Sequence, residues 1–192
     1  MNWWKWIGSV VYLIIYGVLL FLVLSFILGG LFDPILPNPT SKADRSHAEN
    51  TSFVLKNAIA AFHTEYRDYP LLDPANDRTV DSSHDLTDIL LGSDEHAKNG
   101  GRNPRRIDFY SDRAARPMEG GRHRKGITLD ETGGGELWDP WGRFYRVRFD
   151  SDGNGKVENP GKPGTFLPES ILVWSAGKDG DFDTWEDNVK TW

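Results

Sequence analysis

The sequence predicts an α+β fold: an N-terminal transmembrane helix, then a domain in which one long helix packs on a small antiparallel sheet. Three observations predict it. Residues 7–32 carry no charged side chain. Leu55, Ile59, Phe62 and Tyr66 recur at helical spacing. Residues 144–150 and 170–175 read as strands, the first through alternation and the second through a continuous apolar run.

The uncharged run IGSVVYLIIYGVLLFLVLSFILGGLF holds 26 residues, about 39 Å as a helix. That exceeds a hydrocarbon core of roughly 30 Å. Trp3, Trp4 and Trp6 precede it, where interfacial aromatics belong. It is longer than the apolar region of a signal peptide, and no small-x-small cleavage site follows. The expectation is a retained single-pass anchor over residues 1–32, in contact with lipid through residues 7–32. Residues 33–41, rich in proline, form a linker that interrupts any helix leaving the membrane. The soluble domain is expected over 42–192.

In that domain, residues 42–66 form the long helix, with Ala58, Ala60 and Ala61 favouring it and Pro70 ending the pattern. DLTDILL, 85–91, adds one or two helical turns. Residues 99–126 are basic and glycine-rich and read mostly as a loop, with 107–110 a short extended piece. In FYRVRFD, residues Tyr145, Val147 and Phe149 share one face and Arg146 and Arg148 the other. SILVWS is the most buried strand. KVEN, 156–159, is expected to pair with FYRVRFD through the turn DSDGNG.

Charge and composition narrow the function. The chain has 28 acidic and 22 Lys/Arg residues, a net charge of −6, and no cysteine. Mild acidity argues against nucleic-acid binding. Missing cysteine excludes disulfides, thiolate metal sites and cysteine catalysis. The five histidines form no metal-spaced pair of histidines, and the serines lack a nucleophile-elbow setting. No enzyme is expected.

The chemistry concentrates in two acidic loops. Asp179, Asp181, Asp183, Glu186 and Asp187 crowd among Gly177, Gly180, Phe182, Trp185 and Trp192. Such acids either stay solvated or share a cation. A hard cation takes six to eight oxygens, and with no histidine nearby calcium fits best. Asp150, Asp152 and Asn154 resemble the first half of a calcium loop, but Gly161 stands where the closing carboxylate belongs. A tight turn is the preferred reading there, with a weaker second metal loop as the alternative. The arginines from Arg102 to Lys125 either form a solvated loop or hold an acidic partner.

Three stretches carry a family likeness: LKNAIAAFHTEYRDYP (55–70), LWDPWGRFYRVRFD (137–150) and VWSAGKDGDFDTWEDNVKTW (173–192). Together they make the chain resemble the G-type major pseudopilins of bacterial type II secretion systems. That resemblance implies a pilin-like domain facing the periplasm from the inner membrane, and a calcium-holding C-terminal loop. Its implied partners are like subunits, other pseudopilins and inner-membrane secretion components. Carried onto this chain, it makes Asp179 and Asp187 the leading ligands, followed by Asp181 and Asp183, and makes Trp141 of Asp139-Pro140-Trp141-Gly142 a core residue. It implies a structural part in a type II secretion pseudopilus. The alternative is a membrane-anchored, calcium-stabilised module that binds protein without polymerising. The N-terminus departs from the family: Gly8 is not followed by phenylalanine, and no acid precedes Asp33.

Overall fold

The computed structural model describes residues 39–71, 78–98 and 100–192, with the single residues Tyr16, Val18 and Leu20. The chain divides into two compact units, Met1–Lys42 and Ala43–Trp192. Apart from the first residues of its long helix, the architecture that follows belongs to the second unit.

Helix α1, Pro39–Tyr66, is 28 residues long. Its predicted stripe is real: Leu55, Ile59 and Phe62 are buried, Ala58 with them, and Tyr66 packs at the margin. The helix stops at Arg67, whose φ of 58° is left-handed. Strand β1 (Thr79–Asp81) and helix α2 (His84–Leu91) follow. Then come the short strands β2 (Arg116–Pro117) and β3 (His123–Arg124). After them lie β4 (Gly126–Leu129), β5 (Gly135–Trp138), β6 (Arg146–Phe149), β7 (Val157–Glu158) and β8 (Phe166–Leu167). Strands β9 (Ile171–Ser175) and β10 (Val189–Lys190) finish the chain.

Among the described residues four small antiparallel sheets result. The largest has the order β1-β6-β9-β10, and β2–β3, β4–β5 and β7–β8 are two-stranded ribbons. The expected pairing of residues 156–159 with the FYRVRFD strand is therefore wrong. Strand β6 has both edges taken, by β1 and β9, and β7 turns away to pair with β8. Residues 107–110 form no strand.

Alternation in β9 separates two cores. Ile171 and Val173 join the larger cluster, which includes Leu55, Phe62, Leu86, Leu90, Tyr145 and Phe149. Leu172 and Trp174 join the other, with Val157, Leu167, Phe182, Trp185 and Trp192. A strand alternates its side chains between faces, so full burial of β9 requires cover on both sides. The α1–α2 layer covers one face and the C-terminal tail the other.

The expected membrane architecture is corrected. Among the described residues no helix is long and apolar enough to cross a membrane. Helix α1 has the length but carries Lys42, Asp44, Arg45, Glu49, Lys56 and Glu65, and one such charge at a bilayer centre costs about 2.5–3.5 kcal/mol. Helix α2 has only 8 residues. The anchor expected over residues 7–32 lies outside the described residues, apart from Tyr16, Val18 and Leu20. In place of a transmembrane helix and one helix on one sheet, the described residues form an α+β domain of two helices and four small sheets. The placement in the bacterial inner membrane with a periplasmic domain falls with the anchor. So do the membrane-anchored pseudopilus role and the membrane-anchored form of its alternative.

Part of the basic stretch is tied to the rest of the domain, while Arg116, Arg122 and Arg124 are exposed. Arg102 donates to the carbonyls of Tyr69 (2.5 Å) and Pro70 (3.0 Å) and pairs with Asp68 at 3.1 Å. Arg105 pairs with Glu65, Arg106 with Asp94 and Lys125 with Asp44. Beneath them Asn103 is fully buried. Its amide nitrogen donates to the carbonyls of Ile89 (2.8 Å) and Ile107 (2.7 Å). Its amide oxygen accepts from the Tyr66 hydroxyl (2.7 Å) and the Ile107 N–H (3.0 Å). One side chain thus joins α1, α2 and the loop, and it meets its full hydrogen-bonding capacity. Asn103→Ala strands those groups and is expected to cost about 2–4 kcal/mol, read as a lower urea midpoint at unchanged slope.

Candidate metal centre

The acidic C-terminal loop starts where β9 ends. Gly177 has φ 71°, and a Cβ there would collide with the Asp187 carbonyl oxygen and carboxylate. Only glycine allows the two ends of the loop to approach so closely. The Asp187 carboxylate (Oδ2) accepts the Asp179 N–H at 3.0 Å, closing a ring over residues 179–187. Asp179 Oδ1 accepts the Asp181 N–H and Asp181 Oδ1 the Asp183 N–H, both at 2.9 Å. The Thr184 hydroxyl donates to Asp179 Oδ2. The Thr184 and Asp181 donors hold the Asp179 carboxyl below the ordinary carboxylate range.

Indole packing pins this loop. Trp174, Trp185 and Trp192 form a triangle with ring centroids 6.2, 5.9 and 6.0 Å apart. The Arg146 guanidinium lies 3.7 Å over the Phe182 ring. From α1, Arg45 Nη1 donates to the Asp187 carbonyl at 3.3 Å. Asn188, buried beside Asp187, donates through Nδ2 to the Phe182 carbonyl at 2.9 Å. Its amide oxygen is buried without a donor.

The structure thus joins the Asp179 backbone N–H to the Asp187 carboxylate; the side chains of Asp179, Asp181 and Asp183 are all exposed and Asp187 is partly buried. Among the described residues, no three of the tail's carboxylates place ligand atoms within 4.8 Å of one another. The aromatic half of the loop is built into the core; its acids occupy the rim.

The second acidic loop is a turn complete in itself. Both Asp150 oxygens are taken by backbone donors, Asn154 N–H at 3.0 Å and Gly155 N–H at 2.8 Å. Asp152 accepts the Asn154 N–H (3.1 Å) and side-chain amide (2.6 Å), and Asn154 Oδ1 accepts the Lys156 N–H at 3.0 Å. These contacts are those of a tight Asx-type turn.

A third group was not anticipated from sequence. His84, Asp88 and Asp130 place one ligand atom each within 4.8 Å of one another. His84 Nδ1 lies 3.0 Å from Asp88 Oδ1 and 3.7 Å from Asp130 Oδ2, and Nε2 lies 4.0 Å from Glu136 Oε1. Asp88 Oδ1 also accepts the Gly135 N–H at 2.7 Å. Partial burial draws the imidazole pKa down, but the Asp88 hydrogen bond and the Asp88, Glu136 and Asp130 charges outweigh it and hold it above the ordinary value. The i, i+4 spacing of His84 and Asp88 on one helix face was the legible signal. A search for histidine pairs passes over it, and Asp130 arrives from a distant turn.

The Asp-Pro-Trp-Gly motif works through its acid. Trp141 is only half-buried, so it is not the core residue it was expected to be. Asp139 is fully buried. Its carboxylate accepts Trp141 N–H at 2.8 Å, Arg143 N–H at 2.9 Å and the Ser175 hydroxyl at 2.5 Å. The motif turn is thereby tied to the end of β9. Burial pushes the Asp139 pKa up to about 6, against the pull of these donors.

No protein-family model matches the chain, and no curated protein or solved structure matches it. The site is therefore read from its own chemistry.

The Asp139 shift has a definite sign. Its folded value of about 6 stands above the ordinary 3.8, so the native state prefers the neutral acid. The stability it contributes is complete below pH 3.8 and lost as pH rises through about 6. Asp139→Asn keeps an acceptor for Trp141 and Arg143. The wild-type-minus-variant stability difference is expected to fall by roughly 3 kcal/mol between pH 3.5 and 7. The Asp139 carboxyl carbon should titrate near 6 by NMR.

Proposed function

We propose that this chain carries a non-catalytic, calcium-stabilised binding domain of pseudopilin-like character, whose C-terminal loop is clasped by the ion and by its own indole rings. Closure of the acidic ring by the Asp187 carboxylate on the Asp179 N–H carries the reading. Five acids lie between 179 and 187, and carboxylates that close up repel one another. An ion among them converts that repulsion into attraction. Asp179 and Asp187 would hold it, with backbone carbonyls and the undonated Asn188 amide oxygen as further candidates; Asp181 and Asp183 stand next in line. The ion supplies charge neutralisation and cross-links the two loop ends.

The three stretches resembling G-type pseudopilins support this reading, because they include the β6 strand, the Asp139 turn and the whole clasp. The membrane anchor and the pseudopilus role form no part of it. The domain acts by presenting surface to protein partners. Phe53 and Val54 offer apolar surface on α1, 50% and 40% exposed.

Native-state binding stabilises in proportion to ligand excess, about 2.7 kcal/mol at 100 times Kd. For the full chain, EGTA should lower the melting temperature relative to calcium. The double variant Asp179→Ala, Asp187→Ala should melt at one temperature in both conditions, close to the wild-type value in EGTA. Identical wild-type curves with calcium and with EGTA would refute calcium as the clasp.

A further inference from the structure

The oxygen-rich tail suits a hard cation, whereas the group on α2 has a different donor set. We propose that His84, Asp88 and Asp130 form a second cation site, for a borderline divalent metal of the zinc class, which clips helix α2 to the β4–β5 turn. This inference stands independently of calcium binding in the tail.

Geometry separates the oxygens that build the turn from the one left to bind. Asp130 Oδ1 accepts the Thr132 N–H (2.8 Å), the Thr132 hydroxyl (2.7 Å) and the Gly134 N–H (3.0 Å). It is spent on holding the turn. The other oxygen, Oδ2, is the one that faces His84 Nδ1 at 3.7 Å. Asp88 is fixed by the Gly135 N–H, which donates to the same Oδ1 that faces His84 Nδ1. No side chain intervenes: a Cβ at Gly134 would collide with the Asp88 carboxylate. Both acids are oriented before any ion arrives, as the surroundings of a metal ligand require.

An ion pair alone accounts poorly for the arrangement. A single Nδ1–H can serve one carboxylate well, yet two approach this nitrogen, at 3.0 and 3.7 Å. A divalent ion placed among the three atoms binds the Nδ1 lone pair and both carboxylates at once. The imidazole proton then resides on Nε2, 4.0 Å from Glu136 Oε1. A carboxylate at the second nitrogen is the usual orienting partner of a metal-bound histidine. One nitrogen and two carboxylate oxygens favour zinc and its neighbours over calcium, which prefers oxygen alone. His84 is half-exposed, so water can complete the coordination.

The test uses the full chain, stripped with EDTA and titrated with zinc chloride by calorimetry and with cobalt(II) by visible absorption. One equivalent should bind, with a d–d band for cobalt. His84→Ala and Asp130→Asn should each weaken zinc by at least about tenfold, while melting in EDTA like the wild type. Asp179→Ala with Asp187→Ala should leave zinc affinity unchanged, and excess calcium should not displace zinc. In the wild-type chain the His84 ring resonances should shift on zinc addition, a reading that needs no variant. Absent binding, unshifted His84 resonances, or equal affinity in His84→Ala would overturn the site. Loss of zinc in the tail double variant would also overturn it, because the ion would then belong to the C-terminal acids.

Discussion

Burial of β9 on both faces is the constraint on which the other parts depend. Ile171 and Val173 need α1 and α2; Leu172 and Trp174 need the tail. Desolvating a large apolar side chain contributes about 1.5–3 kcal/mol, so exposing either face forfeits several such terms together. The tail is therefore a layer of the fold. Its return as β10 gives β9 a hydrogen-bonded neighbour, and its indoles give Trp174 a cover. The acids on its rim follow from that placement. Phe182 and Trp185 face inward, while Asp179, Asp181 and Asp183 remain exposed in solvent.

Buried polar side chains decide how the other elements attach. Ser82 accepts the Tyr145 N–H at 2.9 Å and donates to the Leu137 carbonyl at 2.7 Å, joining the main sheet to β5. Asn103 joins α1, α2 and the basic loop, and Asp139 ties its turn to Ser175. Each leaves its partners unsatisfied if removed, which costs more than an average hydrogen bond contributes. By contrast, the ion pairs of Arg105 and Arg106 lie near the surface, where a single pair contributes about 0–1 kcal/mol. They account for where the positive charge goes, and Asn103 accounts for why the loop stays there.

The two metal readings draw on different physics. In the tail, the acids lie close together in sequence, with Gly177 and Gly180 beside them. At α2, a helix face and a remote turn converge: Asp130 is oriented through Oδ1, leaving Oδ2 toward His84, while Asp88 is oriented through the same Oδ1 that faces His84 Nδ1. The first kind of site is visible as composition. The second exists only once β4 and β5 have paired and placed Asp130 over α2.

The same division runs through the whole domain. The stripe Leu55-Ile59-Phe62, the alternation of Tyr145, Val147 and Phe149, and the buried run of β9 were legible in the chain, because local periodicity reports which face meets a core. The Asp150 turn was legible too, since its hydrogen bonds close within a few residues. Long-range choices were not. Alternation shows that a strand has a buried face but does not name its neighbours. So β7 was assigned to β6, although β1 and β9 already occupied both of its edges. Arg102, Arg105, Arg106 and Lys125 of the basic loop looked surplus until their acids, Asp68, Glu65, Asp94 and Asp44, came into place from elsewhere in the chain. Sequence alone determined the helix and strand faces and the acidic, aromatic character of the tail. Tertiary structure decided pairing, polar attachment and the His84 cluster, because those depend on residues that meet only after the chain has closed on itself.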